Sequence, residues 1–330
     1  MMTGLLILIF MGFTLVGCSY AAGGNVGKNK PPAKGAKKEM KTYHIGRFAI
    51  DVPIEFKLAH QRHEFRLVKI EEIPVPTGQA PGKYAEQRWK ERLAEIAKLK
   101  KPKGVNEIII RQQTKNLGHD SRWVLYYGNR MANDEGYFDI LVDYGQHLTL
   151  FKINGLLSEQ KAMFSWVMEV VGAYRPITAS RVPNAFCTKL GAIDLPYMEQ
   201  ENSFARFNGP MEMVLTVEMI ETHNDLNKKS LTKRTADAIA AGFTRGLNIK
   251  RITAGERVVA GLGGDEDILQ GNDGPQKHLR FDWEYLGKAE SGEFPAIQIN
   301  VETVPDHREE KTQIWHEILD SFRSTQKSAR

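Results

Sequence analysis

The chain has 330 residues, of which 42% are hydrophobic and 26% charged, enough for two globular domains with ordinary cores. Its formal net charge is +5, but six lysines and one glutamate between Ala21 and Lys41 account for all of it, leaving 39 basic against 39 acidic residues elsewhere. A charge surplus confined to one segment argues against a nucleic-acid-binding body, which needs a basic face on a folded element.

The first residues read as an export signal. Leu5 to Val16 is an apolar run of signal-peptide length, too short to cross a bilayer as a helix. It ends in Leu15-Val16-Gly17-Cys18, which resembles the bacterial lipoprotein cleavage box, where a small residue precedes the Cys that becomes the lipidated N-terminus. No Lys or Arg precedes the run, which departs from the usual pattern. The expectation is a signal peptide over 1–17 and lipidation at Cys18; the alternative is an ordinary signal peptide with an incidental Cys. Ser19 stands where an Asp would signal inner-membrane retention, so the anchor is expected in the outer membrane, facing the periplasm. Residues 18–41 form a basic tether of Gly, Asn, Lys and Pro that lacks the apolar surface to fold. Its lysines either touch anionic headgroups, at about 1 kcal/mol each, or serve only as a solvated spacer. With Cys18 lipidated, the one other cysteine, Cys187, has no disulfide partner, and its apolar setting predicts a buried, inert thiol.

Ile50-Asp51-Val52-Pro53 returns as Ile193-Asp194-Leu195-Pro196. Proline lacks an N–H for the sheet ladder, so each copy is a strand that must stop. The elements behind each copy also follow in the same order, so the chain reads as two homologous domains, 42–178 and 183–325, with a short tail at 326–330. The first domain is expected to run through a strand at 45–52, a half-buried strand at 65–70, a loop at 73–78 and a helix over 84–99 with Trp89, Leu93 and Ile96 on one stripe. Strands at 106–112, 122–128, 137–142 and 148–153 follow, then a helix capped by Ser158 with Met163, Trp166, Val167, Val170 and Val171 inward. The second domain is expected to open at 192–195, with strands at 203–207 and 211–220 and a long helix over 231–247 with Ala236, Ile239, Ala240, Phe243 and Leu247 on its apolar side. Strands at 257–260, 266–270, 278–286 and 296–303 then lead to a helix bearing Ile314, Trp315, Ile318, Leu319 and Phe322. Trp166 and Trp315 are expected at corresponding places. The fold class is α+β, each domain a mainly antiparallel sheet packed with helices.

Familiar catalytic signatures are missing: the sequence has no Gly-x-Ser-x-Gly, no His-Glu-x-x-His, no phosphate-binding loop and no Cys-x-x-Cys. His60 and His63 have no recognisable partner ligands and are expected as surface histidines. Gly261-Leu262-Gly263-Gly264 is followed by acids that would repel phosphate, so it is expected as a hairpin tip. Asp265, Glu266 and Asp267 then make an acidic protrusion, either a solvated loop or a surface for a basic partner. The symmetry of Asp51 and Asp194 favours a structural duty for both. No catalytic residue, metal or cofactor is predicted.

Gly46-Arg47-Phe48-Ala49-Ile50-Asp51-Val52-Pro53, the second opening from Phe186 to Pro196, and the lipoprotein box resemble the two-domain immunity proteins of type VI secretion lipase effectors. The resemblance spans nearly all of the chain after the signal. It implies a periplasmic, non-enzymatic protein that binds and neutralises a phospholipase toxin, with no catalytic residues to carry over. The alternative is an envelope lipoprotein acting as a scaffold or ligand-binding module.

Overall fold

Alternating inward and outward residues build most of the molecule as strands. The computed structural model describes residues 38–116, 119–177, 184–198, 200–222, 229–242, 246 and 248–326. Cys18, the signal segment, most of the tether, and Phe243 and Leu247 of the expected long helix lie outside the described residues. The first half contains β1 (Met40–Ile45), β2 (Phe48–Pro53), β3 (Lys57–Phe65), β4 (Val68–Pro74), α1 (Pro81–Ala97), β5 (Ile109–Asn116), β6 (Asp120–Tyr126), β7 (Glu135–Asp143), β8 (His147–Leu156), α2 (Gln160–Ala173) and β9 (Tyr174–Pro176). The second repeats the order with β10 (Phe186–Cys187), β11 (Gly191–Ile193), β12 (Glu201–Asn208), β13 (Val214–Ile220), α3 (Leu231–Ala240), β14 (Lys250–Val259), β15 (Leu262–Asp273), β16 (Gln276–Tyr285), β17 (Ala296–Thr303), α4 (Arg308–Ser321) and β18 (Arg323–Ser324).

From Glu39 onward the chain is one compact unit. Twelve strands form a single sheet in the order β14-β15-β16-β17-β13-β12-β3-β4-β8-β7-β6-β5. The order on one side of the β12–β3 seam repeats on the other. The seam is antiparallel, from Glu201 opposite Phe65 to Asn208 opposite Lys57. One continuous sheet therefore crosses the boundary between the two halves, in place of the two separate sheets expected.

The cores cross it as well. Ile45, Phe48, Ile50, Val52 and Phe56 pack with Phe207, Leu215, Trp283, Trp315 and Phe322 of the second half. β18 extends that hairpin, with Arg323 opposite Ala49. In exchange, Phe186 and Ile193 pack with Phe65, Phe138, Val167 and Tyr174 of the first half, and β11 pairs with β9. A boundary near 180 separates the repeats in sequence, but each repeat lends its opening hairpin to the other's core. Periodicity identifies a strand and not its partner, so this exchange was invisible in the sequence.

The exchange is fastened at two points. Gly46 and Cys187 exchange backbone hydrogen bonds of 2.9 Å each way. Gly46 sits at φ +58°, and a Cβ there would fall 2.8 Å from Ser203 Oγ. Next to it, buried Arg47 donates to both oxygens of buried Glu201, at 2.6 Å from Nη2 and 2.7 Å from Nε, and to the carbonyls of Asn184 and Leu195. The expected strand over 45–52 is thus a hairpin that turns at Gly46-Arg47.

Adjacent strand residues face opposite sides of the sheet. Val124, Tyr126 and Leu141 pack under α1 with Ala85, Trp89 and Ile96, while Trp123, Leu125, Phe138 and Ile140 pack under α2. Pro81 starts α1, where its fixed φ is already helical. α3 is shorter than expected: it stops at Ala240, followed by Gly242 at φ +73°, and none of its residues is fully buried. The tryptophan correspondence is also corrected. Trp315 is fully buried, but Trp166 is 49% exposed. Seven residues into its helix, Val167 holds the place that Trp315 holds in α4.

Candidate functional site

β3 and β4 pair over only three residues, from His63 opposite Ile70 to Phe65 opposite Val68. The turn between them is tight, with Arg66 and Leu67 both at positive φ (51° and 66°). The alternation over 65–70 that predicts a single strand is in fact this hairpin. Arg66 is held by Glu169 Oε1 at 2.9 Å and by Pro196 O at 2.9 Å. Beyond the turn β3 follows β12 while β4 follows β8, and the wedge between them is a cleft of about 820 Å³. That volume lies in the range of about 300–1,000 Å³ typical of binding pockets.

One carboxylate ties β4 to the lent hairpin. Glu72 on β4 accepts hydrogen bonds from Tyr174 Oη at 2.6 Å, Thr188 Oγ1 at 2.5 Å and the Leu190 N–H at 2.9 Å. These partners belong to β9 and to the β10–β11 hairpin lent by the second half. Burial, with Glu72 beside it, raises the Tyr174 pKa, so that hydroxyl stays a donor. In the second half β12 and β13 remain paired from Ser203 opposite Met219 to Asn208 opposite Val214. Counting along the ladders, Met219 is the counterpart of Glu72, and it is buried.

The seam supplies the other wall. Phe204 on β12 lies opposite Arg62 of β3 on one side and Glu218 of β13 on the other. The Arg62 guanidinium stands 4.8 Å from the Phe204 ring centroid, and His60 packs 5.9 Å away. Arg62 also reaches Glu218 at 3.5 Å. Ile220, which is 46% exposed, adds an apolar edge. Lys69, Lys189 and the Lys152–Glu71 pair (2.6 Å) complete the rim. A half-exposed aromatic held between an arginine and an imidazole is a preformed contact point, since its side chains are already ordered.

His63 lies below this surface and corrects its expected exposure. It is buried, with Ser203 Oγ 3.0 Å from Nδ1 and Gln61 Nε2 2.8 Å from Nε2. The Gln61 amide donates to Nε2, so Nδ1–H is left to donate to Ser203. Burial pushes the His63 pKa down to about 3, and the ring stays neutral. Three residues apart on a strand, His60 and His63 point to opposite faces and cannot share a metal. Among the described residues no group of three or more His, Cys, Asp or Glu is placed to hold one. Cys187 is buried as expected, its thiol facing Ala185 O at 3.7 Å.

The acidic protrusion is not there. The hairpin tip is Ala260-Gly261, both at positive φ, and Asp265, Glu266 and Asp267 lie within β15. Glu266 accepts from Trp315 Nε1 at 2.6 Å and from Arg257 at 3.4 Å. Asp267, fully buried, accepts from Arg251 at 2.8 Å. Asp265 caps α3, accepting from the Thr232 N–H at 3.0 Å and its hydroxyl at 2.7 Å. Partial burial raises the Asp265 pKa, but hydrogen bonds from Thr232 and Ser230 outweigh it and hold the carboxyl below its usual value. The three acids therefore serve the fold, because partners distant in sequence meet them there. Asp51 is structural too, accepting from Thr42 at 2.6 Å and Arg323 at 3.0 Å, whereas Asp194 is exposed.

An α+β scaffold of repeated element order, with one shared sheet, exchanged hairpins and a wedge at its seam, defines the structural class. Residues 182–326 match the sequence model of the Tle cognate immunity protein 4 C-terminal domain. Three solved structures share the fold at 18% sequence identity. The apo immunity protein TplEi of the type VI secretion system (T6SS) from Pseudomonas aeruginosa has a TM-score of 0.71 and covers 88% of this chain and 98% of its own. A chain of the Tle4–Tli4 complex has a TM-score of 0.72 with the same coverage. TplEi complexed with the "L" peptide has a TM-score of 0.66, covering 87% of this chain and 99% of its own. A search of curated proteins by sequence returned no match.

Proposed function

We propose that this protein is an immunity protein that binds a type VI secretion phospholipase effector and blocks it, with the wedge between β3 and β4 as a principal contact. The observation that carries the reading is the Phe204–Arg62–Glu218 cluster beside a cleft of about 820 Å³. Arginine and aromatic side chains at the centre of a concave surface are the usual anchors of a protein interface. Among the similar folds, one is that of a Tle4–Tli4 complex. The shared sheet makes the binding surface one preordered body, which lowers the ordering cost of association. Inhibition then needs no chemistry from this chain, only occlusion of the effector.

The location belongs to the same proposal. Leu15 to Cys18 supports export and lipidation at Cys18, and the tether would let the body stand off the outer membrane on its periplasmic face. Cys18→Ser should then move the protein out of the membrane fraction. The main experiment is a pull-down and activity assay with a type VI secretion phospholipase effector. The effector should be captured and its hydrolysis suppressed, with no hydrolysis by this protein alone. An absence of binding at about micromolar concentration, with both proteins folded, would favour the scaffold reading instead.

A further inference from the structure

A second cavity, of about 310 Å³, lies far from the wedge, between β5, β6, β7 and the start of α2. Its walls are aromatic: Trp123, Phe138 and Phe164, with ring centroids 5.3 to 6.0 Å apart. Its rim carries Arg111, Lys161 and two glutamine amides, and no carboxylate lines it. Neither Arg111 nor Lys161 has an ion-pair partner among the described residues, and both are exposed. Trp123 is 7% exposed, and its indole N–H is buried without an acceptor. In the other half Glu266 stands at the place of Trp123, and Trp315 reaches it from α4 and donates to it.

We propose that this cavity binds a medium-chain carboxylate, its tail against the three aromatic rings and its headgroup between Arg111 and Lys161. Apolar walls favour a hydrocarbon body, and two unpaired cations beside two glutamine amides favour an anionic head. An added peptide strand fits less well, since β5 has a bulge between Ile109 and Arg111 and a polar exposed run at Arg111–Thr114, which blunt the edge. Acyl-ester hydrolysis releases ligands of this class, but the site stands independently of the effector.

The test is calorimetric titration of the purified chain with decanoate, followed by ¹H–¹⁵N spectra. Binding at roughly 10–100 µM is expected, with a shift of the Trp123 indole resonance, assigned by its loss in Trp123→Phe. The double charge reversal Arg111→Glu, Lys161→Glu, both at exposed positions, should weaken binding about tenfold or more. Phe204→Ala should leave it unchanged, and decylamine should not bind. Three results would overturn the site: no binding up to about 1 mM, equal binding of decylamine or by the charge-reversed chain, or tighter binding of an acidic peptide bearing phenylalanine, which would assign the cavity to a protein partner.

Discussion

In the second half of the sheet, Trp315 reaches from α4 to give its indole N–H to Glu266, and Trp283 gives its own to the Arg257 carbonyl at 3.1 Å. In the first half the three corresponding places hold Val167, Trp123 and Ile140. The aromatic mass has moved from helix and middle strand to β6, and it has lost its acceptor on the way. A similar divergence separates Glu72 from Met219 and His63 from Ala205. The two halves share strand order and the inward pattern, because those set the shared sheet. The side chain that fills each place differs, and the first half carries both the wedge and the aromatic cavity.

The contrast is sharpest at the helices. Trp315→Ala should cost about 3–5 kcal/mol in chemical denaturation, and more if Glu266 is stranded. Trp166→Ala, at the position that looks equivalent in sequence, should stay within about 0.5 kcal/mol. Equal losses would mean that the two helices pack alike.

His63 sets a pH dependence that Ala205 cannot. Its folded pKa of about 3 lies below the usual 6.5, so the unfolded chain binds the proton more tightly between those values. Stability from this group is complete above about pH 6.5 and is lost as pH falls toward 3, about 3 kcal/mol of it between pH 7 and 4. His63→Ala should remove that part of the slope, whatever it does to stability at neutral pH. An unchanged slope would place the acid sensitivity elsewhere.

At the wedge, Glu72→Met installs the residue found on the other side. It leaves Thr188, Tyr174 and the Leu190 N–H without their acceptor, at about 1–3 kcal/mol, and should weaken effector binding by freeing β4 from the lent hairpin. Unchanged affinity would show that the wedge is not the contact. A smaller loss is expected at the α3 cap, where Asp265→Ala should cost about 1 kcal/mol at neutral pH. Because the folded Asp265 pKa is lowered, that difference should shrink as pH falls through the carboxylate range.

Much of the sheet was legible. Strand 296–303 and the closing helix stripe from Ile314 to Leu319 are where alternation and helical spacing put them. Other features depended on partners that local pattern does not name. A turn with Arg66 and Leu67 in the left-handed region carries neither Asn nor Gly, so it read as continuous strand. Asp265, Glu266 and Asp267 looked like a solvated run because Thr232, Arg251 and Trp315 meet them only in three dimensions. The candidate site had one local trace, since Phe204 faces outward between inward Ser203 and Ala205, but nothing in the sequence says that β3 and β4 part beside it.

The central claim is that this seam grips a phospholipase effector. The most direct measurement is the dissociation constant of the purified pair for the native chain and for Arg62→Ala, Phe204→Ala, with circular dichroism confirming the fold. The double variant should bind at least about 100-fold more weakly, equivalent to about 2.7 kcal/mol, and should lose inhibition in parallel. Full affinity and full inhibition in that variant would contradict the account.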